Sequence, residues 1–170
     1  MLPDIYLMQR IRGNNMELRE IFERQHKRVY RVAMLMLNNV TDAEDAVQNV
    51  FLKYIEKGSA FNDIEHENAW FITVTRNYCK DQLKNFWRRN VDMGDIPEQY
   101  SEEESDNDLL EYIMKLPDKY KEVIYLFYYE DYSIKEISGI LQRKESTIQT
   151  QLSAARAKLK KIIQEVRKYE

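Results

Sequence analysis

The sequence predicts an all-α chain of two small helical domains, residues 1–90 and 107–170, joined by an acidic flexible linker at 91–106. Three observations predict it. The 170 residues include only four Gly and three Pro beside many Leu, Ile, Lys and Glu, a composition that favours helix. Apolar residues recur at alternating steps of three and four in both halves, the spacing of a buried helix face. Charge falls in blocks: 14 basic and 12 acidic residues over 1–90, nine acidic and no basic over 91–114, then 12 basic and eight acidic over 115–170. The formal net charge of −3 therefore averages two basic modules and an acidic connector.

A short helix over residues 4–12 is expected to precede a long one from Met16 to Leu37, with Leu18, Ile21, Phe22, Val29, Val32, Ala33, Met36 and Leu37 on its apolar side. Asn38-Asn39 ends it. Thr41-Asp42-Ala43-Glu44 has capping-box spacing. The helix it opens buries Ala43, Ala46, Val47, Val50, Phe51 and Tyr54, turns Asp42, Asp45, Gln48, Asn49 and Lys53 outward, and stops at Gly58. Ser59 to Glu67 reads as a polar loop carrying one aromatic, Phe61.

A third helix is expected from about Asn68 to Arg88, with Trp70, Phe71, Val74 and Tyr78 on its apolar side. Arg76, Lys80, Lys84 and Arg88 stand four residues apart and share a face. Stacked cations repel, a cost that a facing phosphate backbone removes; a plain solvated basic face accounts for them equally. Phe61, Trp70, Phe71, Phe86 and Trp87 lie near this stripe and suit stacking on unpaired bases. Core packing is the competing role, strongest for Phe71. Gly94, Pro97 and the run from Ser101 to Asp106 mark the linker, which would look the same if it were only a spacer.

In the second domain a short helix from Asp108 to Lys115 is ended by Pro117, which suits the first turn of the next helix. That helix carries Tyr120, Val123, Ile124, Phe127 and Tyr128 at core spacing. Ser133-Ile134-Lys135-Glu136 is a second capping box, opening a short helix to about Leu141. After Gln142-Arg143-Lys144 a longer helix runs from Glu145 to about Arg167, with a core stripe of Ile148, Leu152, Ala155 and Leu159, continued by Ile162 or Ile163. This is a helix-turn-helix pattern. Ser146, Gln149, Thr150 and Ser153 sit on the outer face of its second helix, uncharged and near the N-terminal end. Such side chains can offer donors and acceptors to base edges in a major groove. Arg143, Lys144, Arg156, Lys158 and Lys160 frame them where phosphates would lie.

Several function classes are disfavoured. The single cysteine, Cys79, rules out a disulfide framework and a Cys-built zinc site and fits a reducing, cytoplasmic setting. No apolar stretch is long enough for membrane insertion, and the start of the chain, with Asp4, Arg10 and Arg12, does not read as a signal peptide. Asp42, Glu44 and Asp45 flank a helix start, imidazoles are limited to His26 and His66, and there is no phosphate loop or nucleophile constellation. No catalytic residue, metal or cofactor is expected, and the chain is not expected to be an enzyme.

The motifs together resemble the group IV, extracytoplasmic-function (ECF) sigma factors of the sigma-70 family. The matching residues are Asp42 through Phe51, Ala69-Trp70-Phe71, Thr75-Arg76-Asn77 and Asp81 in the first half. In the second half they are Leu116-Pro117, Tyr129 through Ser133, Glu136-Ile137, Thr147-Ile148, Leu152 and Ala155-Arg156. The resemblance implies a sigma factor that binds core RNA polymerase and directs initiation at promoters. Asp45, Gln48 and Asn49 match positions that dock on the clamp helices of the largest subunit. The loop with Phe61 and Asn62 matches the one that captures a flipped −10 base, and Trp70, Arg76, Asn77, Lys80, Lys84 and Arg88 match the surface on the melting strand. Arg143, Lys144, Ser146, Thr147, Gln149, Thr150, Ser153 and Arg156 match the −35 reader.

Further partners implied are the flap of the second polymerase subunit and, as often in the family, an anti-sigma factor. The linker matches the segment that runs through the basic RNA-exit region. The chain departs from the family pattern in the turn Gln142-Arg143-Lys144, where Gly is common, at Gln149 and Gln151, where Lys or Arg is common, and at Ser138, where Ala is usual. These departures imply a weaker −35 contact with its own sequence preference. The rival reading is a stand-alone helix-turn-helix regulator of duplex DNA. It would need a dimer surface for paired half-sites, and it leaves the motif from Asp42 to Phe51 unexplained.

Overall fold

The computed structural model describes residues 15–57, 60–89 and 108–166. The expected helix over 4–12, Ser59 and the Gly58 stop, the linker at 91–106, and the side chains of Trp87 and Arg88 lie outside the described residues. Among the described residues every regular element is an α-helix: α1 (Asn15–Leu37), α2 (Val40–Lys57), α3 (Ile64–Arg89), α4 (Asp108–Met114), α5 (Asp118–Tyr128), α6 (Ile134–Leu141) and α7 (Glu145–Val166). The chain divides into two compact units, one holding α1–α3 and the other α4–α7.

In the first unit α1 packs on α2 and α3. Ile21, Val29, Val50, Phe51, Tyr54 and Phe71 form one apolar cluster, with Leu18, Val47, Ile55, Phe61, Trp70 and Val74 packed around it. Ala33, Ala43 and Ala46 meet Cys79 in a second cluster, where small side chains let the helices approach closely. Phe22, expected in the core, is 42% exposed, because Gln25 at 0% takes the buried position between Ile21 and Val29.

Two helix starts differ from expectation. The capping box at Thr41 does not form. Asn38 ends α1 at φ 50°, and Asn39 Oδ1 accepts the Asp42 N–H at 2.9 Å. Asn39 is thus the cap, two residues earlier, and α2 starts at Val40. The polar loop is also shorter than read. Asp63 Oδ1 accepts the His66 N–H at 2.7 Å and its carbonyl accepts from Glu67, so α3 begins at Ile64 rather than near Asn68.

The second unit packs α5 and α6 against α7, with α4 across α5 and α7. Its buried hydrophobic residues are Ile113, Leu116, Val123, Ile124, Tyr125, Leu126, Ile137, Leu141, Ile148, Leu152, Ala155 and Leu159. Full burial of one such aliphatic side chain contributes roughly 1.5–3 kcal/mol. Pro117 stands just before α5 rather than in its first turn, and its carbonyl accepts the Tyr120 N–H at 2.9 Å. Tyr128, at core spacing in the sequence, is 47% exposed. The capping box of α6 forms as expected. The Ser133 N–H donates to Glu136 Oε2 at 2.8 Å, and the Glu136 N–H donates to Ser133 Oγ at 3.3 Å. Ser133 Oγ also donates to Glu136 Oε2 at 2.6 Å, and this bond together with the backbone N–H bond holds the Glu136 carboxyl below its ordinary range.

Candidate nucleic-acid interface

The turn between α6 and α7 positions the proposed reading helix. Gln142 takes the left-handed conformation, φ 53° and ψ 46°, that glycine usually supplies at a helix end. The Arg143 N–H then reaches the Ser138 carbonyl at 3.1 Å, and Ser138 Oγ donates to the Arg143 carbonyl at 2.6 Å. The Ser138 hydroxyl therefore ties the turn down. The Arg143 guanidinium donates to Glu122 on α5 at 2.9 Å and to Gln151 on α7 at 3.1 Å. Arg143 is thus a brace between helices, half-buried, and not the open phosphate contact its charge suggested.

Beyond this brace Lys144, Ser146, Thr147, Gln149, Thr150 and Ser153 are all exposed. Gln149, Thr150 and Ser153 line a shallow concavity floored by Ala154 and Ala157. Thr150 Oγ1 donates to the Ser146 carbonyl at 2.9 Å, which leaves its lone pairs facing out. Ile148, Leu152, Ala155 and Leu159 hold the opposite side in the core.

In the first unit Asp45 and Gln48 are exposed on α2. Asn49 is half-buried; its Nδ2 donates to the Asp45 carbonyl at 2.8 Å and to Tyr78 Oη at 3.2 Å. The Tyr78 hydroxyl is pushed up by burial and by the carboxylates of Asp45 and Asp42.

The structure separates the cation stripe of α3. Asn77, Lys80 and Lys84 are exposed, but Arg76 is 3% exposed and lies with Ile72, Thr75 and Cys79 on the buried side. Four residues advance a helix by about 400°, so each step of four drifts about 40° and three steps sweep about 120°. The ends of such a stripe do not share a face, and Arg76 falls on the inner one.

The rings near the loop are also committed. Phe61 stacks on Tyr54 at 5.9 Å and meets Trp70 at 5.7 Å and Phe71 at 6.1 Å. Both Phe61 and Trp70 are half-buried parts of this cluster, not open stacking platforms. Asn62 remains exposed at the loop tip, its N–H held by His66 Nδ1 at 3.3 Å.

A buried polar network was not read from the sequence. Glu67, on the first turn of α3, accepts from Arg24 at 2.9 and 3.2 Å and from Gln25 at 2.6 Å. Gln25 also donates to Asn68 Oδ1 at 2.8 Å, and Arg28 donates to Gln25 Oε1 at 2.6 Å. Burial alone would raise the Glu67 carboxyl, but the bonds from Arg24 and Gln25 and the charges of Arg24 and Arg28 outweigh it and hold it below its ordinary range. A signal existed: Gln25 interrupts the apolar stripe of α1 at a core position.

Comparison with known proteins decides the family. Residues 21–89 match the model of Sigma-70 region 2, and residues 106–159 match that of Sigma-70, region 4. The RNA polymerase sigma factor SigV of Bacillus subtilis is 30% identical over 74% of this chain and 78% of its own. The chain belongs to the ECF sigma factors of the sigma-70 family. The ECF RNA polymerase sigma factor SigW of Bacillus subtilis is 25% identical over 91% of this chain and 93% of its own.

Among solved structures, the sigma factor RpoE in complex with the anti-sigma factor NepR from Bartonella quintana matches with a TM-score of 0.73, at 21% identity, over 87% of this chain and 97% of that one. CnrH in complex with the cytosolic domain of CnrY matches at 0.59 and 19% identity, over 95% and 96%. As an ECF sigma factor the chain binds core RNA polymerase and directs promoter-specific initiation, and its two units are region 2 and region 4. No helix among the described residues is long and apolar enough to cross a membrane.

Proposed function

We propose that the two regions of this sigma factor divide promoter recognition between α7 and the α3 surface, with α2 as the polymerase anchor. Gln149, Thr150 and Ser153 read base edges of the −35 duplex, with Ser146, Thr147, Lys144 and Arg156 at the margin on sugar and phosphate. Asn62, Asn77, Lys80 and Lys84 hold the −10 strand; the basic residues act on phosphates, and the exposed loop tip receives an unstacked base. Asp45, Gln48 and Asn49 dock on the clamp helices of the largest subunit, and the region 4 unit meets the flap of the second.

The acidic segment at 91–106 passes along the basic RNA-exit region of polymerase and joins the two DNA anchors. Each is weak alone, and together they gain avidity only on correctly spaced elements. Polymerase supplies all the chemistry, in the cytoplasm, and this chain has no catalytic activity of its own. The RpoE neighbour is seen with the anti-sigma factor NepR and the CnrH neighbour with the cytosolic domain of CnrY, and an anti-sigma partner for this chain belongs to the same reading.

The observation that carries the reading is the exposed, uncharged row on α7 over a buried Ile148–Leu159 stripe. The polymerase arm is tested by Gln48→Arg. The added charge is expected to abolish retention by core polymerase in co-purification while leaving the thermal transition in place. Undiminished retention would contradict the assignment of α2.

A further inference from the structure

Arg156 is held in one geometry before any DNA arrives. Its Nε–H donates to Tyr128 Oη at 2.8 Å, and its guanidinium lies 5.1 Å from the Phe127 ring centroid and 5.6 Å from that of Tyr128. The Phe127 and Tyr128 rings meet edge to face, centroids 5.1 Å apart at 75°, and together form a shelf under the guanidinium. Arg156 is exposed, and Tyr128 at 47% exposure is one of the few large aromatic side chains left outside the core.

The hydrogen-bond inventory shows what this leaves available. A tyrosine hydroxyl has one donor, and its oxygen also accepts. Here the oxygen accepts from Arg156, so the hydroxyl proton points away from that bond. The two Nη groups of Arg156 keep their protons for an outside acceptor. Two kinds of donor therefore border one solvent-facing spot, and nothing acidic is bonded to either side chain among the described contacts.

Placement points the same way. Arg156 follows Gln149 by seven residues, so the two lie about 20° apart around α7, with Arg156 about 10 Å farther along the axis. A helix that reads bases near its N-terminal end brings residues two turns later to the groove wall, where the phosphates are. We propose that Tyr128 is a DNA-contacting residue, and that with Arg156 it forms a preorganised two-donor clamp on one phosphate of the −35 duplex. The clamp rests on the −35 reading of α7. It also explains why α5 presents an exposed tyrosine at a position whose spacing marks it for the core.

The test uses holoenzyme and a promoter duplex that the holoenzyme itself has selected from a random pool, with single methylphosphonates stepped along the −35 backbone. Tyr128→Phe keeps the ring and loses the hydroxyl. It is expected to bind the natural backbone about tenfold more weakly, the worth of one hydrogen bond to a charged group. Its salt slope should match wild type because no charge is lost, whereas Arg156→Gln should lower the slope by about one. At one methylphosphonate position wild type and Tyr128→Phe should become equal. Wild-type affinity of Tyr128→Phe on the natural backbone overturns the clamp. So does a loss that persists equally at every methylphosphonate position, which would mark Tyr128 as merely structural. If scrambling the −35 sequence leaves wild-type binding unchanged, the −35 reading itself has failed, whatever Tyr128 does.

Discussion

In the region 2 unit Arg24, Arg28 and Arg76 are spent on the fold, whereas in the region 4 unit most cations stay at the surface. Arg24 and Arg28 join the network around Glu67 and Gln25, and Arg76 is buried among Ile72, Thr75 and Cys79. In region 4 Arg143 is half-buried between helices, while Lys144, Arg156, Lys158 and Lys160 are exposed, Arg156 with its guanidinium laid against α5. Charge density along the sequence therefore tracks exposed positive charge more closely in region 4 than in region 2. The physical reason is the partner: Glu67 is 5% exposed and needs donors, and neighbouring α1 supplies them.

The comparison breaks first if region 4 does not depend on an apolar inner face. Ile148→Asp puts a carboxylate at a position that is 0% exposed. The expected cost is about 5 kcal/mol or more, enough to unfold that unit while region 2 stays helical, as read by circular dichroism during thermal melting. A normal melting profile would show that the orientation of α7 is wrong.

Region 2 should depend on its polar interior instead. Glu67→Ala leaves Arg24 and Gln25 without their shared acceptor, and the expected loss is about 2–3 kcal/mol, reduced by the partial exposure of Arg24. The folded carboxyl lies below its ordinary value of 4.5. Its contribution is therefore complete above the unfolded pKa and is lost as pH falls through the lower folded value. Acid titration of stability should lose that part of its slope below about pH 4.5 in Glu67→Gln. An identical acid limb in wild type and variant would remove the network from the account.

The smallest effect separates neighbours on one helix. Lys80→Ala is expected to leave melting unchanged and lower the salt slope of holoenzyme–promoter binding by about one. Arg76→Ala is expected to lower the melting temperature instead, since its side chain is inside. If Arg76→Ala changed only the slope, the division between inner and outer cations on α3 would fail.

Region 4 was largely legible because its signals agree. The Ser133–Glu136 box, the apolar stripe from Ile148 to Leu159 and the uncharged outer row are all local, and local periodicity reports them directly. Region 2 was legible in its helices but less so in its surfaces. Arg76 was misread because i, i+4 spacing drifts around a helix. The packing of Phe61 was not legible because an aromatic in a polar loop looks exposed until tertiary contacts with Tyr54 and Trp70 are known. The caps at Asn39 and Asp63 were missed because Thr41 offered a better-known pattern two residues on, and because Asp63 sits within a polar run. The Glu67 network depends on pairing residues more than 40 positions apart, which no local pattern contains.

The central claim is that the exposed row of α7 reads the −35 element while region 2 independently reads the −10 element. Selection of promoters from a random pool by holoenzyme, carried out with wild type and with Gln149→Ala, tests it most directly. The account expects the −35 preference to relax at one or two adjacent positions, by about 1–3 kcal/mol of discrimination, while the −10 preference is unchanged. An unchanged −35 preference, or equal loss at both elements, would contradict it.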